Sequence, residues 1–237
     1  MHAAGRTDTG RVRHENQDAF ALREDLGLAV VADGVSMPRA GGVAAEIAVE
    51  TAVEYLAGVA AGEPLTGQHL RRALETANER VFGLSRAISA YRGMATTLVV
   101  AVVNGARGYV AHVGDSRVYR YRNVELTAIT KDHSVVQRRV DAGLISPTQA
   151  RVARDRHVVT RAIGAEPTLA PDIAALDLED GDLLLLCSDG LTEHLEDDEI
   201  ARHLAEASDL DETADRLVEA ANAAGGSDNV TVVLVRC

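Results

Sequence analysis

The stretch Leu28-Ala29-Val30-Val31-Ala32-Asp33-Gly34 decides how the rest of the chain is read. Five apolar residues in a row need an apolar environment on both sides, which predicts a strand buried on two faces. The run stops at an acid followed by glycine, so the chain delivers a carboxylate to a strand end. The same device recurs at Leu183-Leu184-Leu185-Leu186-Cys187-Ser188-Asp189-Gly190, and a third acid, Asp228, stands with Asn229 just before the apolar strand Val230 to Val235. One Asp-Gly after a strand is ordinary turn chemistry; three strand-edge acids ask for more. If their strands lie side by side, the carboxylates converge and raise one another's pKa unless something positive sits among them. Oxygen-only ligands with no Cys or His cluster point to a hard cation, Mg²⁺ or Mn²⁺, more than to Zn²⁺. Gly34 has no Cβ and lets its carbonyl approach a ligand closely.

The 237 residues can form one large domain or two small ones, and a chain of this length buries about 70–75% of its unfolded surface. No linker divides it, so residues 1–237 are read as a single domain. The apolar fraction of 46% and charged fraction of 25% are those of a folded soluble protein. Aromatics are only 3%, with no Trp, so the core is built from Ala, Val, Leu and Ile. A net charge of −12 repels polyanions, which argues against nucleic acid and anionic membranes as partners. Two cysteines, Cys187 within an apolar strand and Cys237, make no disulfide framework and fit a reducing cytoplasm. No apolar run approaches the roughly 20 residues that span a bilayer.

Along the chain, a short strand is expected around Arg11 to Arg13, and Asp18 to Leu22 reads as a strand that turns into the one ending at Asp33. That pairing brings Asp18 and Asp33 within reach of each other, with Arg13 at the rim. Two helices follow, about 40–60 and 67–88; in the first, Glu46, Glu50 and Glu54 make a solvated stripe, and in the second Leu70, Leu74, Ala77, Val81, Leu84 and Ile88 recur at core-facing steps. Thr96 to Val103, the turn signal Asn104-Gly105 and Arg107 to Val113 predict a hairpin, hence antiparallel pairing. Asp115 sits in the next turn, before Val118 to Tyr121. Ser134 to Ala142 and the capping pattern Ser146-Pro147-Thr148-Gln149 predict short helices; the segment 134–163 reads equally as a flap or as an ordinary surface connection. Further helices are expected near 197–207 and 211–223.

Taken together, Arg13 with Asn16-Gln17-Asp18, Val31-Ala32-Asp33-Gly34, Met94-Ala95-Thr96-Thr97, Gly114-Asp115-Ser116-Arg117, Asp132-His133-Ser134, Cys187-Ser188-Asp189-Gly190-Leu191 and Ser227-Asp228-Asn229-Val230-Thr231 resemble, in order and over nearly the whole chain, the bacterial type 2C metal-dependent serine/threonine protein phosphatases. The resemblance implies an α+β fold, a four-layer αββα sandwich of two mainly antiparallel sheets flanked by helix pairs. It implies two Mn²⁺ or Mg²⁺ ions bridged by Asp33, with Gly34 donating its carbonyl, Asp189 and Asp228 binding one metal, and Asp18 acting directly or through metal-bound water. Asp115 with Asp189 matches the position of a third, weaker ion. Arg13 matches the residue that holds phosphate oxygens, as a bidentate guanidinium can. The implied chemistry is hydrolysis of phosphoserine and phosphothreonine on proteins by a hydroxide formed from a bridging water whose pKa two cations about 4 Å apart lower, with no covalent phosphoenzyme. Implied partners are phosphorylated proteins, among them a bacterial serine/threonine kinase or its targets.

Departures from the pattern are local. Val35-Ser36-Met37-Pro38 replaces a glycine-rich loop, and Val35 cannot act as the general acid that a histidine supplies in eukaryotic members, so the leaving group takes its proton from water or elsewhere. That loop alone supports an alternative, a phosphatase-like module that binds phosphoproteins with little turnover; a phosphatase of small phosphoesters is a third reading. Beside these, Thr96 and Thr97 read as plain strand residues, His112 and His133 as structural histidines, and Cys187 as a small buried hydrophobe.

Overall fold

The computed structural model describes residues 2–35 and 40–237. The apolar run that opened the sequence reading is β3 (Leu28–Asp33), and its two faces enter different cores. Leu28, Val30 and Ala32 pack outward against helices, while Ala29 and Val31 pack inward against a second sheet. With a period of two, a strand sandwiched between layers needs apolar residues at every position, which is why the run has no polar alternation.

Around it, β2 (Asp18–Arg23), β3, β4 (Leu98–Asn104), β5 (Arg107–Val113) and β8 (Asp172–Asp177) form one sheet in the order β2-β3-β4-β5-β8. The other sheet runs β1-β10-β9-β6-β7, from β1 (His2–Asp8), β10 (Val230–Arg236), β9 (Leu183–Cys187), β6 (Arg117–Arg122) and β7 (Glu125–Ala128). Every ladder is antiparallel. In β9, Leu184 and Leu186 join Val31, Val99 and Val233 between the sheets, whereas Leu183, Leu185 and Cys187 face helices. Burying each of these leucines contributes about 1.5–3 kcal/mol.

Helices α1 (Ala40–Ala60) and α2 (Gly67–Ala87) cover the first sheet. The buried face of α1 is largely alanine, Ala44, Ala45, Ala48 and Ala52, and Glu46, Glu50 and Glu54 are exposed as the stripe predicted. The second sheet is covered by α5 (Asp189–Thr192), α6 (Asp197–Ala205) and α7 (Leu210–Ala223), the last capped by the Asp209 carboxylate accepting from Glu212 N–H at 3.1 Å. The layers are therefore helix, sheet, sheet, helix, as expected. Between β7 and β8, α3 (Val135–Asp141) and α4 (Pro147–Arg151) form a small segment closed at its stem by a Ser134–Val159 bridge.

Four expectations change. Arg11 and Val12 form a turn and Arg13 is irregular, and the first strand lies earlier, at His2–Asp8, where it gains seven partners on β10. The strands bearing the acids are not all neighbours: β9 and β10 pair, but β3 belongs to the facing sheet. β9 stops at Cys187, so Asp189 opens α5 rather than ending the strand. Thr96 and Thr97 precede β4 instead of forming part of it.

Candidate metal centre

Both sheets lift their acids to one edge of the sandwich. Asp18 and Asp33 are cross-strand partners at the end of the β2–β3 ladder. From the other sheet come Asp189, at the start of α5, and Asp228, just before β10; the Asp33 and Asp189 carboxylates lie within hydrogen-bonding reach of each other. Asp115 arrives through the β5–β6 turn, where Gly114 adopts φ +106° and any Cβ would strike Thr97. The centre therefore spans the interface between the layers.

The electrostatics are those of too many acids and too few cations. Burial, then repulsion from Asp189 and Asp228, pushes Asp18 up to about 7, against hydrogen bonds from Thr231 and Ser188 that act the other way. Burial and the Asp228 charge raise Asp189 to about 6. Asp33 and Asp115 are held well above the usual carboxylate range, again by burial first and by neighbouring aspartates second. Asp18 Oδ1 and Asp115 Oδ1 are buried with no hydrogen-bond partner. Orphaned anionic oxygens converging in this way fit divalent cations bound through oxygen.

Several residues hold these acids in place. Ser188 Oγ and Thr231 Oγ1 both donate to Asp18 Oδ2, at 2.7 and 2.6 Å. Thr97 Oγ1 accepts from the Asp33 amide at 2.9 Å and Thr96 Oγ1 donates to the Asp33 carbonyl at 2.8 Å. The two threonines thus fix the carboxylate-bearing backbone, a role that reading them as strand residues misses. Asn229 accepts from Gln17 N–H and donates to the carbonyls of Thr9 and Glu15, tying the loop that carries Arg13 to the base of β10. The sequence signal for this group is positional: hydroxyl and amide residues adjoin the strand-edge acids at Ser188-Asp189 and Asp228-Asn229.

Arg13 sits at the rim as expected, exposed, with Nη2 donating to Asp228 Oδ2 at 2.6 Å. Gly34 lies against the start of α1, where a Cβ would fall 2.3 Å from the Gly41 carbonyl carbon. Val35 is exposed, and the rest of the altered loop, Ser36–Pro38, lies outside the described residues. His112 and His133 are buried, stacked at 4.6 Å between centroids, and hydrogen-bonded to Lys131, Gly114 and Arg161. Cys187 is fully buried, with its thiol pushed up to about 12 by burial, and holds no nucleophilic position. From Asp115 and Asp189 a cleft of about 640 Å³ opens between the α3–α4 segment and α5–α6.

A family model for protein phosphatase 2C matches residues 10–234. The serine/threonine phosphatase Stp of Listeria monocytogenes is 37% identical over 242 residues, spanning 99% of this chain and 95% of its own. Among solved structures, the Mycobacterium tuberculosis serine/threonine phosphatase PstP/Ppp superposes with a TM-score of 0.88 at 34% identity, over 98% of this chain and 97% of that one. The catalytic domain of PstP, solved in complex with two manganese ions, matches with a TM-score of 0.86 at 34% identity over 98% and 96% of the two chains. These relatives favour a metal-dependent phosphatase with turnover over a phosphoprotein-binding module. In sequence, in fold and in the convergence of its acids, the chain belongs to the protein phosphatase 2C family of metal-dependent serine/threonine phosphatases.

Proposed function

We propose that Asp18, Asp33, Gly34, Asp189 and Asp228 hold the two Mn²⁺ or Mg²⁺ ions with which this phosphatase removes phosphate from phosphoserine and phosphothreonine in proteins. Asp115, with Asp189, holds a third, weaker ion. The observation that carries the assignment is the pair of buried, unpartnered oxygens, Asp18 Oδ1 and Asp115 Oδ1, within a group of aspartates whose mutual repulsion Arg13, on Asp228 at the rim, and Arg117 offset only in part. When bound, the cations supply Lewis acidity, which acidifies water and neutralises charge on phosphate.

The chain's own residues do the positioning. Ser188 and Thr231 orient Asp18, and Thr96 and Thr97 orient Asp33, so two carboxylates on neighbouring strands of one sheet present fixed oxygens. Arg13 presents its guanidinium to the phosphate oxygens, exchanging its bond to Asp228 for a charge-assisted contact with substrate. Residues 1–237 work as one catalytic domain, and 134–163 is a flap over the cleft beside Asp115. The substrates we infer are a bacterial serine/threonine kinase or its targets, met in the cytoplasm; among the described residues no helix is long and apolar enough to cross a membrane.

The test is phosphate release from a phosphothreonine peptide by chelator-stripped protein, with and without Mn²⁺, beside Asp33→Ala. Metal-dependent release that disappears in the variant is the expected result. Equal release by Asp33→Ala would refute the assignment.

A further inference from the structure

Among the described residues, two clusters gather three metal-ligating side chains: His112 with His133 and Asp172, and His157 with Asp189 and Glu193. The first is already committed to hydrogen bonds. His112 Nε2 lies 2.9 Å from the Lys131 carbonyl, His133 Nδ1 accepts from the Gly114 amide at 3.2 Å, and His133 Nε2 faces Arg161 and Asp172 at 3.1 and 3.3 Å.

The second is different. One donor atom from each of His157, Asp189 and Glu193 lies within 4.8 Å of the other two. The backbone fixes both carboxylates on one turn, because the Glu193 amide donates to the Asp189 carbonyl at 2.8 Å. His157 reaches them from the opposite wall, with Nδ1 against the Glu193 carboxylate. The Glu193 side chain is only 12% exposed, and burial with the Asp189 and Asp228 charges pushes its carboxyl up to about 7.

We propose that His157, Asp189 and Glu193 form a further divalent-metal site that takes a borderline ion of the Zn²⁺ class. An imidazole with two carboxylates suits such an ion, whereas the oxygen-only centre suits Mg²⁺ or Mn²⁺. A metal bound here is ligated by unprotonated His157 and Glu193, and any proton on the ligating atoms leaves to solvent. Asp189 is common to both centres, so Zn²⁺ held by His157 and Glu193 draws that carboxylate away and inhibits turnover. This last consequence, unlike the site itself, rests on the role of Asp189 proposed above.

The experiment is side-chain ¹⁵N NMR of the histidines in the Mg²⁺-saturated full chain during Zn²⁺ titration, with His157 assigned by the signals missing from His157→Ala. The oxygen-only centre contains no histidine, so a shift of the His157 ring nitrogens reports this site alone. Expected are that shift, one fewer Zn²⁺ bound per chain in His157→Ala, and binding at least about tenfold weaker in Glu193→Gln. Unshifted His157 nitrogens, or equal Zn²⁺ stoichiometry and affinity in wild type and both variants, would overturn the proposal. Zn²⁺ should also inhibit phosphopeptide hydrolysis in Mg²⁺, with the inhibitory concentration raised about tenfold or more in His157→Ala. Zn²⁺ binding at His157 without inhibition supports the site and refutes the sharing of Asp189.

Discussion

Asp18 and Asp33 stand directly opposite each other across the β2–β3 ladder, two acids in a position where cross-strand neighbours are within about 5 Å. Like charges so placed destabilise a sheet. Here they are retained at the edge where a second pair of acids arrives from the facing sheet, and divalent cations held there, as proposed above, would relieve the strain of assembling them.

Stability without metal should fall with rising pH. Burial and repulsion place the folded-state values of Asp18 near 7 and of Asp189 near 6, above those of the unfolded chain. Between the unfolded and folded values the native state holds more protons, so these groups stabilise it fully only below the ordinary carboxylate range and the contribution is lost as pH rises through about 6 to 7. His112 and His133, kept neutral by burial, work with the opposite sign. The comparison is therefore thermal unfolding of metal-free wild type and Asp18→Asn from pH 5 to 8. The wild type should lose more stability over that range, and Mn²⁺ should stabilise it more than Asp18→Asn, which lacks one of the proposed ligands. Parallel curves for the two proteins would contradict the account.

Arg13→Ala should raise KM for a phosphopeptide about ten- to a hundredfold, the equivalent of a charged hydrogen bond of roughly 1.5–3 kcal/mol. Arg13→Lys should recover only part of this, because an ammonium cannot make the bidentate contact. Steady-state kinetics at saturating Mn²⁺ decide the matter, and an unchanged KM in Arg13→Ala would remove the arginine from phosphate binding.

Asp115→Ala should lower activity across a Mn²⁺ titration while leaving the tighter metal binding, followed by calorimetry, nearly intact. The Asp115 oxygen has no protein partner to lose. Kinetics that superimpose on wild type at every Mn²⁺ concentration would exclude a role for a third ion at this residue.

Gly34→Ala should damage both folding and turnover. The added methyl meets Gly41 backbone at 2.3 Å, so the start of α1 has to move away from the metal edge. A displacement approaching 1 Å costs about 10²-fold in rate. A melting temperature and kcat equal to wild type would show that the close approach of Gly34 to Gly41 has no such importance.

How far the sequence reveals this molecule depends on where each residue lies. Strands β3 and β9 are legible because both faces are buried, and Leu183 to Cys187 or Leu28 to Ala32 tolerate no polar residue. Strand β1 is His-Ala-Ala-Gly-Arg-Thr-Asp, an edge strand whose partner supplies most of its order, and nothing in it resembles a core strand. β7 and β8 are edges as well, short or half exposed, and equally silent. At the centre, Asp33, Asp189 and Asp228 announce themselves by following or preceding apolar runs. Thr97 and Thr231 do not, because a buried threonine in a strand environment has the same pattern as a β-branched filler residue. His157 is less visible still: 36 residues separate it from Glu193, and only the return of the α3–α4 segment over α5 brings them into contact.

The strand order carries a consequence for synthesis. β10, at residues 230–236, lies between β1, at residues 2–8, and β9, so β1 has no ladder to join until more than two hundred further residues have been made. Asp228 and the Asn229 brace of the Arg13 loop arrive with the same segment. A nascent chain can close the β2–β3–β4–β5 layer early, but it remains without the full set of proposed ligands until β10 leaves the ribosome. Such late closure delays phosphatase activity until both layers have met, and slow folding of the β1-containing sheet is the cost of that non-local pairing.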